Sequence, residues 1–397
     1  MDQRRKPDDI LEEAEARLER VDWVAAGAAI ASISAVGIAL GLGLPLLSVI
    51  LERRGISATM IGANTAVAGI ASLIAAPLVT PIARYVGVRN AMLMAIVGGA
   101  ASAVGFYIFT EFWVWFPLRL VFHFSITALF ILSEFWINAA APPRSRGFVL
   151  GIYATVLSLG FAAGPWIFSQ VGSTGFLPFG IGAGVILASA IPLILAWNRH
   201  PIIEDASHFK SFWRYIVLIP TATGAVLVFG AVEAGGFALF PVFGNRMGYD
   251  EASAAQLLTV IGLGNVVMQI PIGLLSDRVK DRRNLLLLFA AVGLCGTLLL
   301  PWIAANWYVM ACLLFVWGGV VAGLYTVGLA HLGTRVSSSD LASANAAFIF
   351  CYSAGMLLGP QIIGSGMDLF GPDGFAWSLA LFFGLYLMLV VGRRIMR

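Results

Sequence analysis

Long apolar runs alternate with short polar breaks along almost the whole chain. Twelve of them, over roughly 24–50, 58–83, 90–110, 113–139, 147–170, 175–197, 213–242, 251–275, 284–302, 306–332, 341–363 and 374–392, are long enough to cross a bilayer as helices, which takes about 20 residues each. The pattern predicts an all-α membrane protein. Two stretches differ. In residues 1–22, Ile10, Leu11, Ala14, Leu18 and Val21 fall at helical spacing opposite Glu12, Glu13, Glu15, Glu19 and Arg20. They are expected to form a cytoplasmic amphipathic segment on the membrane surface or against the loops, a specific partner being the alternative. The opening is mixed in charge and lacks the apolar core and cleavage site of a signal peptide. Residues 198–212, with His200, Glu204, Asp205, His208 and Lys210, read as a polar linker. The expected organisation is therefore a segment at 1–22, a six-helix bundle at 23–197, the linker at 198–212, a second six-helix bundle at 213–392 and a tail at 393–397.

The two bundles repeat. Gly160-x3-Gly164-Pro165 recurs 195 positions later as Gly355-x3-Gly359-Pro360, and Leu44-Pro45 recurs 196 later as Phe240-Pro241. Gly55-Ile56-Ser57 matches Gly248-Tyr249-Asp250 at an offset of 193. Three matches at nearly one offset, in corresponding spans, indicate internal duplication.

Composition and charge sharpen this. The chain is 59% hydrophobic and 11% charged, whereas soluble domains carry about 25% charged residues. With the N-terminus in the cytoplasm, twenty of the 24 Lys and Arg residues fall in inner segments; only Arg53, Arg54 and Arg246 are outside, and Arg119 lies within a span. The positive-inside rule thus places both termini in the cytoplasm. The basic pI follows from topology and is no footprint for nucleic acid. Cys295, Cys312 and Cys351 lie in apolar spans as small hydrophobes, and no metal-ligand or disulfide spacing is present. No phosphate loop or nucleophile–base pattern supports an enzyme; Ser338-Ser339-Asp340 reads as a helix cap.

The loop after span 8 reads Gly273-x3-Asp277-Arg278-Val279-Lys280-Asp281-Arg282-Arg283. It resembles the signature of the major facilitator superfamily, Gly-x3-Asp-Arg-x-Gly-Arg-Arg, with Lys280 at the second Gly. With twelve spans in two related halves, the resemblance covers residues 23–392. It implies the major facilitator fold: two pseudo-symmetric six-helix bundles rocking around a central cavity lined by helices 1, 4, 7 and 10, usually as a monomer. In the family the signature acts as a cytoplasmic latch. The first-half copy places Arg84 where Asp is usual, so the expected latches are charge-swapped: Asp277, beside Arg278 and Arg282, with Arg144 and Arg146, and Arg84 with Asp340. Solvated loop charges are the plainer alternative. Gly164-Pro165 resembles a motif of the family's drug–proton antiporters, giving helix bends there and at Gly359-Pro360 or, more plainly, close helix packing.

Three ionisable residues remain inside apolar stretches: Arg119, Glu134 and Glu233. Each costs about 2.5–3.5 kcal/mol at a bilayer centre on insertion scales, so such residues tend to be functional. Arg119 matches the family's span-4 Arg, implicated in proton coupling. His123 and Glu134 follow it on nearly the same helix face, with Arg119 and Glu134 about 22 Å apart. Glu134 is the expected proton-titrating carboxyl, because low-dielectric sites disfavour fixed charge. Glu233, before Gly235-Gly236, is expected as a second carboxyl or as the partner of Arg119 in an outer gate; His123 is placed for a relay or substrate contact. Each has a bland reading as a static bridge or packing group. Cavity candidates with a polar handle are Asn64, Trp136, Tyr153, Trp166, Asn265, Gln269, Tyr325, Tyr352 and Gln361. Other aromatics suit the lipid face or interfacial belt.

The expectation is a secondary transporter of a bacterial inner membrane that exports a small, largely apolar or neutral organic solute by alternating access. It is driven by the proton gradient, without cofactor, metal or nucleic acid. Proton-coupled uptake of a sugar or small metabolite is the alternative within the class. A non-transporting sensor or assembly partner, with residues 1–20 as output, is the alternative outside it.

Overall fold

The computed structural model describes residues 21–142, 145–198, 201, 213–337 and 340–395, all of whose regular structure is helical. Among the described residues, twelve helices are long and apolar enough to cross a membrane. They are α1 (Trp23–Arg53), α2 (Ala58–Val86), α3 (Val88–Ile108), α4 (Trp115–Ala140), α5 (Arg146–Val171), α6 (Leu177–Leu195), α7 (Pro220–Arg246), α8 (Glu251–Arg278), α9 (Arg282–Ile303), α10 (Trp307–Gly333), α11 (Leu341–Phe370) and α12 (Asp373–Ile395). Span 7 departs most from the sequence pattern. Pro220 disfavours helical geometry at Ile219, so Trp213–Leu218 forms a separate short helix before α7. Residues 1–20, Arg144 and most of the 198–212 linker lie outside the described residues.

Polar side chains set the helix starts. Ser57 accepts from the Met60 amide at 3.3 Å ahead of α2, and Asp250 from the Ser253 amide at 2.8 Å ahead of α8. Gly55 and Gly248 make the preceding turns at φ 76° and 95°, a left-handed conformation that favours glycine. The repeat read at these positions is thus one of structure.

The same holds for the glycine motifs. Gly160 and Gly164 of α5 lie against Gly37 and Gly41 of α1; a β-carbon on Gly160 would come 3.0 Å from the Gly37 Cα, and one on Gly164 would strike the Gly41 backbone. In the second half Gly355 and Gly359 of α11 press on Leu227 and Ala231 of α7. Pro165 and Pro360 sit inside continuous helices. The motifs are packing seams, where small residues let backbones touch in the absence of a hydrophobic drive between helices. Gly359→Val is accordingly expected to cost more than the usual overpacking range of about 1–3 kcal/mol and to abolish the monodisperse peak in size-exclusion of the solubilised protein. Gly384→Val, at a site with open space around it, should leave the peak intact.

The two six-helix halves meet where α2 runs along α11 and α5 along α8. Arg84, Arg146, Arg278 and Arg393 mark one end of the bundle, here the basic face. At the opposite face the halves are clamped. Arg53 meets Glu251 at 2.6 Å, with Ser173 Oγ donating to the same carboxylate. Arg246 meets Glu52 at 3.1 Å and Asp368 at 3.8 Å, while Asp368 accepts from the Ala58 and Thr59 amides at 3.1 and 2.7 Å, capping α2 across the interface. The clamps are related by the duplication. Each joins an Arg at the end of a half's first helix, a residue just past or within the last turns of its fifth, and the start of the other half's second.

Candidate functional site

Within α7 the stretch Val232-Glu233-Ala234-Gly235-Gly236 forms a single π turn. Such turns recur at functional sites because they rotate one side chain out of helical register. Gly235 allows close contact with Gly359 and Pro360 of α11. Glu233 then borders a narrow apolar cavity inside the second six-helix half, between α7, α8, α9, α10 and α12, which Phe161 of α5 closes from the other half. Among the described residues, Glu233 is the only charged side chain lining it. Asn265 adds an amide, and Phe229, Phe237, Phe240, Trp317 and Phe375 supply most of the wall. Largely apolar walls with few placed polar groups are typical of small-molecule sites.

The Glu233 carboxylate accepts a hydrogen bond from the Tyr352 hydroxyl. The Tyr352 ring stacks on Phe229 at 6.3 Å and meets Tyr325 edge-on at 6.2 Å. Tyr325, on α10, lies within electrostatic reach of both Glu233 and Glu134, and Tyr153 within reach of Glu134 and Tyr325. The Tyr153 hydroxyl is hydrogen-bonded to Ser133 Oγ at 2.9 Å. Tyr325 thus lies within electrostatic reach of a carboxyl in each half, while the hydrogen bond in this group is the one from Tyr352 to Glu233.

On α4 the expected stripe divides in two. Glu134, nearer the basic face, is exposed, whereas Arg119 and His123 are 0% and 2% exposed. One end of the stripe is open and the other is sealed behind the clamped face. His123 lies beside Arg119 and packs edge-on to Phe122. The expected Arg119–Glu233 contact is not formed, because Glu233 turns to Tyr352. Among the described residues, none of the three guanidinium nitrogens of Arg119 has a hydrogen-bond partner.

Other expectations are corrected. Trp136 is fully buried in the first half, its indole nitrogen unpartnered among the described residues, and does not line the cavity. Asn64 is likewise fully buried, with both amide atoms unpartnered. Trp166 is 55% exposed outside the cavity. Gln361 lies at the α2–α11 seam against Gly62, bonded to Ser365 at 3.4 Å. Gln269 accepts from Ser158 at 3.3 Å, joining α8 to α5. Asn265 lines the cavity, Tyr352 engages its carboxylate, and Tyr325 packs against both Tyr352 and the lining residue Phe229. The aromatic wall of Phe161, Phe229, Phe237 and Trp317 was missed, and only the Gly pairs beside Glu233 and Trp317 hinted at it. At the basic face Asp277 pairs with Arg282 of its own loop at 3.4 Å rather than with exposed Arg146, because the halves are joined at the other face. Arg144 lies outside the described residues. Arg84 and Arg278 are exposed, and Asp340 accepts from Ser337 at 3.0 Å, with Arg84 and Asp340 each engaged in further polar interactions.

A family model described as Major Facilitator Superfamily matches residues 28–360, with a further match over 250–395. The chain is 28% identical over 373 residues to the uncharacterized MFS-type transporter YfkF of Bacillus subtilis (strain 168), covering 91% of this chain and 93% of the relative. It is 24% identical over 312 residues to the uncharacterized MFS-type transporter YcaD of Escherichia coli O17:K52:H18, covering 78% and 80%. Among solved structures it superposes on the nucleoside transporter NupG with a TM-score of 0.75 at 14% identity, over 94% of this chain and 98% of that one. A bacterial homolog of the human lysosomal transporter Spinster, in an inward-facing and occupied conformation, gives 0.68 at 14% identity, over 92% and 94%. At that identity the likeness concerns the fold.

Proposed function

The chain belongs to the major facilitator superfamily, and from that premise we propose that it is a proton-coupled exporter of a small, largely apolar organic solute in a bacterial inner membrane, its basic face towards the cytoplasm. One observation carries this reading: the apolar cavity within the second half, closed by Phe161 of the first, holds a single charged side chain among the described residues, Glu233, at a break in α7. A lone carboxyl in such a chamber is suited to hold a proton in one half of the cycle and to yield it in the other. Glu134, exposed and nearer the basic face, exchanges that proton with water. Glu233 thereby takes the central role expected of Glu134, which becomes the outlet. The clamps at the opposite face hold this conformer closed to the outside; rocking of the halves about the cavity alternates access. The relatives named as transporters favour transport over catalysis.

Thermal stabilisation of the purified protein by a library of drugs, sugars and organic acids, at acid and alkaline pH, tests this. Under antiport proton and solute compete, so a hit should stabilise more at alkaline pH. That dependence should vanish in Glu233→Gln and survive, weakened, in Glu134→Gln. Stronger stabilisation at acid pH would mean that proton and solute bind together, replacing export by symport.

A further inference from the structure

The two clamps are equivalent by the duplication but not in charge. In one, Arg53 faces a single carboxylate, Glu251. In the other, Arg246 faces two, Glu52 at 3.1 Å and Asp368 at 3.8 Å. With all three ionised, the second clamp holds one negative charge in excess, and carboxylates that share a site resist ionising together. We propose that the clamped face is itself a proton site: closing it takes up one proton, held by Glu52 at the end of α1. The inference deepens the proton coupling of the reading above and rests on it for which face meets the outside.

The surroundings select Glu52. Asp368 accepts from two backbone amides at the start of α2, at 3.1 and 2.7 Å, where a helix end favours an anion. Glu251 lies in the first turn of α8 and takes the Ser173 hydroxyl at 3.1 and 2.9 Å from its two oxygens. Glu52 has neither support. It lies in the last turn of α1, the end that disfavours an anion. Its Oε1 accepts from Arg246 Nε, while Oε2 is buried and has no hydrogen-bond partner among the described residues. An unpartnered buried oxygen costs more when it carries charge than when it is neutral.

Protonation at Oε2 leaves the contacts in place. Oε1 still accepts from Arg246, and Arg246 keeps Asp368 and the Met367 carbonyl at 3.3 Å. The clamp is then neutral, one cation balanced by one anion. Nothing else nearby supplies the missing charge. Asn245, the other group of α7 facing Glu52, is an uncharged amide. Arg53, beside it on α1, is taken by Glu251. Arg54 turns away to the Thr110 carbonyl and the Trp115 ring. Among the described residues, this face carries no Lys or His.

The sign follows. In the open state water solvates Glu52 and its charge is tolerated; closing the face removes that water from a cluster with excess negative charge. The closed state therefore binds the proton more tightly, and the closed-to-open ratio rises as pH falls, for one proton by about tenfold per pH unit at most. A proton arriving from outside thus shuts the outer face behind it, the direction in which a proton-driven exporter returns to the cytoplasmic side.

The test is a pH series of the distance between spin labels at Thr174 and Ala305, exposed positions on the two halves of that face, in the full-length protein in lipid nanodiscs without solute. The closed-to-open ratio is expected to be at least threefold higher at acid than at alkaline pH. Glu52→Gln mimics the neutral acid and should stay closed throughout. Asp368→Asn keeps an acceptor for the α2 amides but removes the excess charge, so the response should vanish or reverse. That variant keeps the test decisive if Glu52→Gln fails to fold. A wild-type distance indifferent to pH, opening in acid, or a wild-type response in either variant would overturn the assignment. Repeating the series in Glu233→Gln separates this inference from the transport reading. A response lost there and kept in Glu52→Gln would sink the proton site at the clamp and leave proton-coupled export standing. A response kept in Glu233→Gln, with no proton-driven flux in wild-type proteoliposomes, would do the reverse.

Discussion

Arg119→Met is expected to raise the melting temperature of the solubilised protein by several degrees while proton-driven transport falls at least tenfold. The guanidinium is fully buried, and among the described residues none of its nitrogens has a hydrogen-bond partner. Insertion scales put an Arg at mid-membrane at about 2.5–3.5 kcal/mol, and exchanging buried charge for well-packed apolar volume has stabilised proteins by about 1–4 kcal/mol. Methionine fills the space with a flexible apolar chain and adds no branched bulk. A residue that destabilises the clamped conformer persists when another conformer uses it, and the sealed end of the α4 stripe opens only when the clamped face does. Opposite signs for stability and transport would mark Arg119 as a group whose partner arrives with the other state. A lower melting temperature in Arg119→Met would show instead that the guanidinium supports the clamped state, and would end that reading. Scanning fluorimetry and proteoliposome flux on the same preparations measure both quantities.

Glu251→Gln combined with Asp368→Ala is expected to move most molecules out of the clamped conformation. Glu251 meets Arg53 at 2.6 Å, their side chains 17% and 50% exposed, a half-solvated pair worth at most about 1 kcal/mol, the upper end for ion pairs near a surface. Asp368 caps α2 through two amides and pairs with Arg246; losing a cap alone costs about 0.5–2 kcal/mol. Together the clamps are worth about 2–3 kcal/mol, a shift of about 30- to 150-fold in a two-state equilibrium at tenfold per 1.4 kcal/mol. Spin labels at Thr174 and Ala305, exposed positions on the two halves of that face, should report a longer and broader distance in the double variant. An unchanged distribution would mean that packing of α1 against α7 and of α2 against α11 holds the face shut without the charges. Each single variant should shift the equilibrium part of the way, since the clamps engage separate residues.

The fold was legible because its physics is one-dimensional. A bilayer demands long apolar helices, and the distribution of Lys and Arg separates their ends; the duplication was visible because close-packed glycines and positive-φ turns tolerate few substitutes. Only the Pro220 break moved a helix start substantially. The site was legible in part. Glu233, Asn265, Tyr325 and Tyr352 were identifiable because polar groups in apolar runs are conspicuous, and three of the nine cavity candidates, Asn265, Tyr325 and Tyr352, proved to lie at or beside the cavity. The aromatic wall was not, since Phe229 or Trp317 in an apolar run looks no different from a lipid-facing ring. Trp136 and Trp166 erred for the same reason, one lying in the core and the other exposed. The exchange of roles proposed for Glu134 and Glu233 rests on one π turn, in which Glu233 is bonded to Tyr352. Helical spacing assumes that every turn is alike.

The glycine seams bear on how such a molecule moves. With α5 pressed backbone to backbone on α1, and α11 on α7, neither pair can slide or part without losing its contact, so each behaves as one stiff lever pivoted near the cavity. A helix of 31 residues such as α1 is about 46 Å long. A tilt of about 10° about its midpoint displaces each end by about 4 Å, more than the whole length of the Arg53–Glu251 contact. Leverage of this kind lets a change of a few ångströms around one carboxyl be delivered at both surfaces while every helix keeps its internal hydrogen bonds.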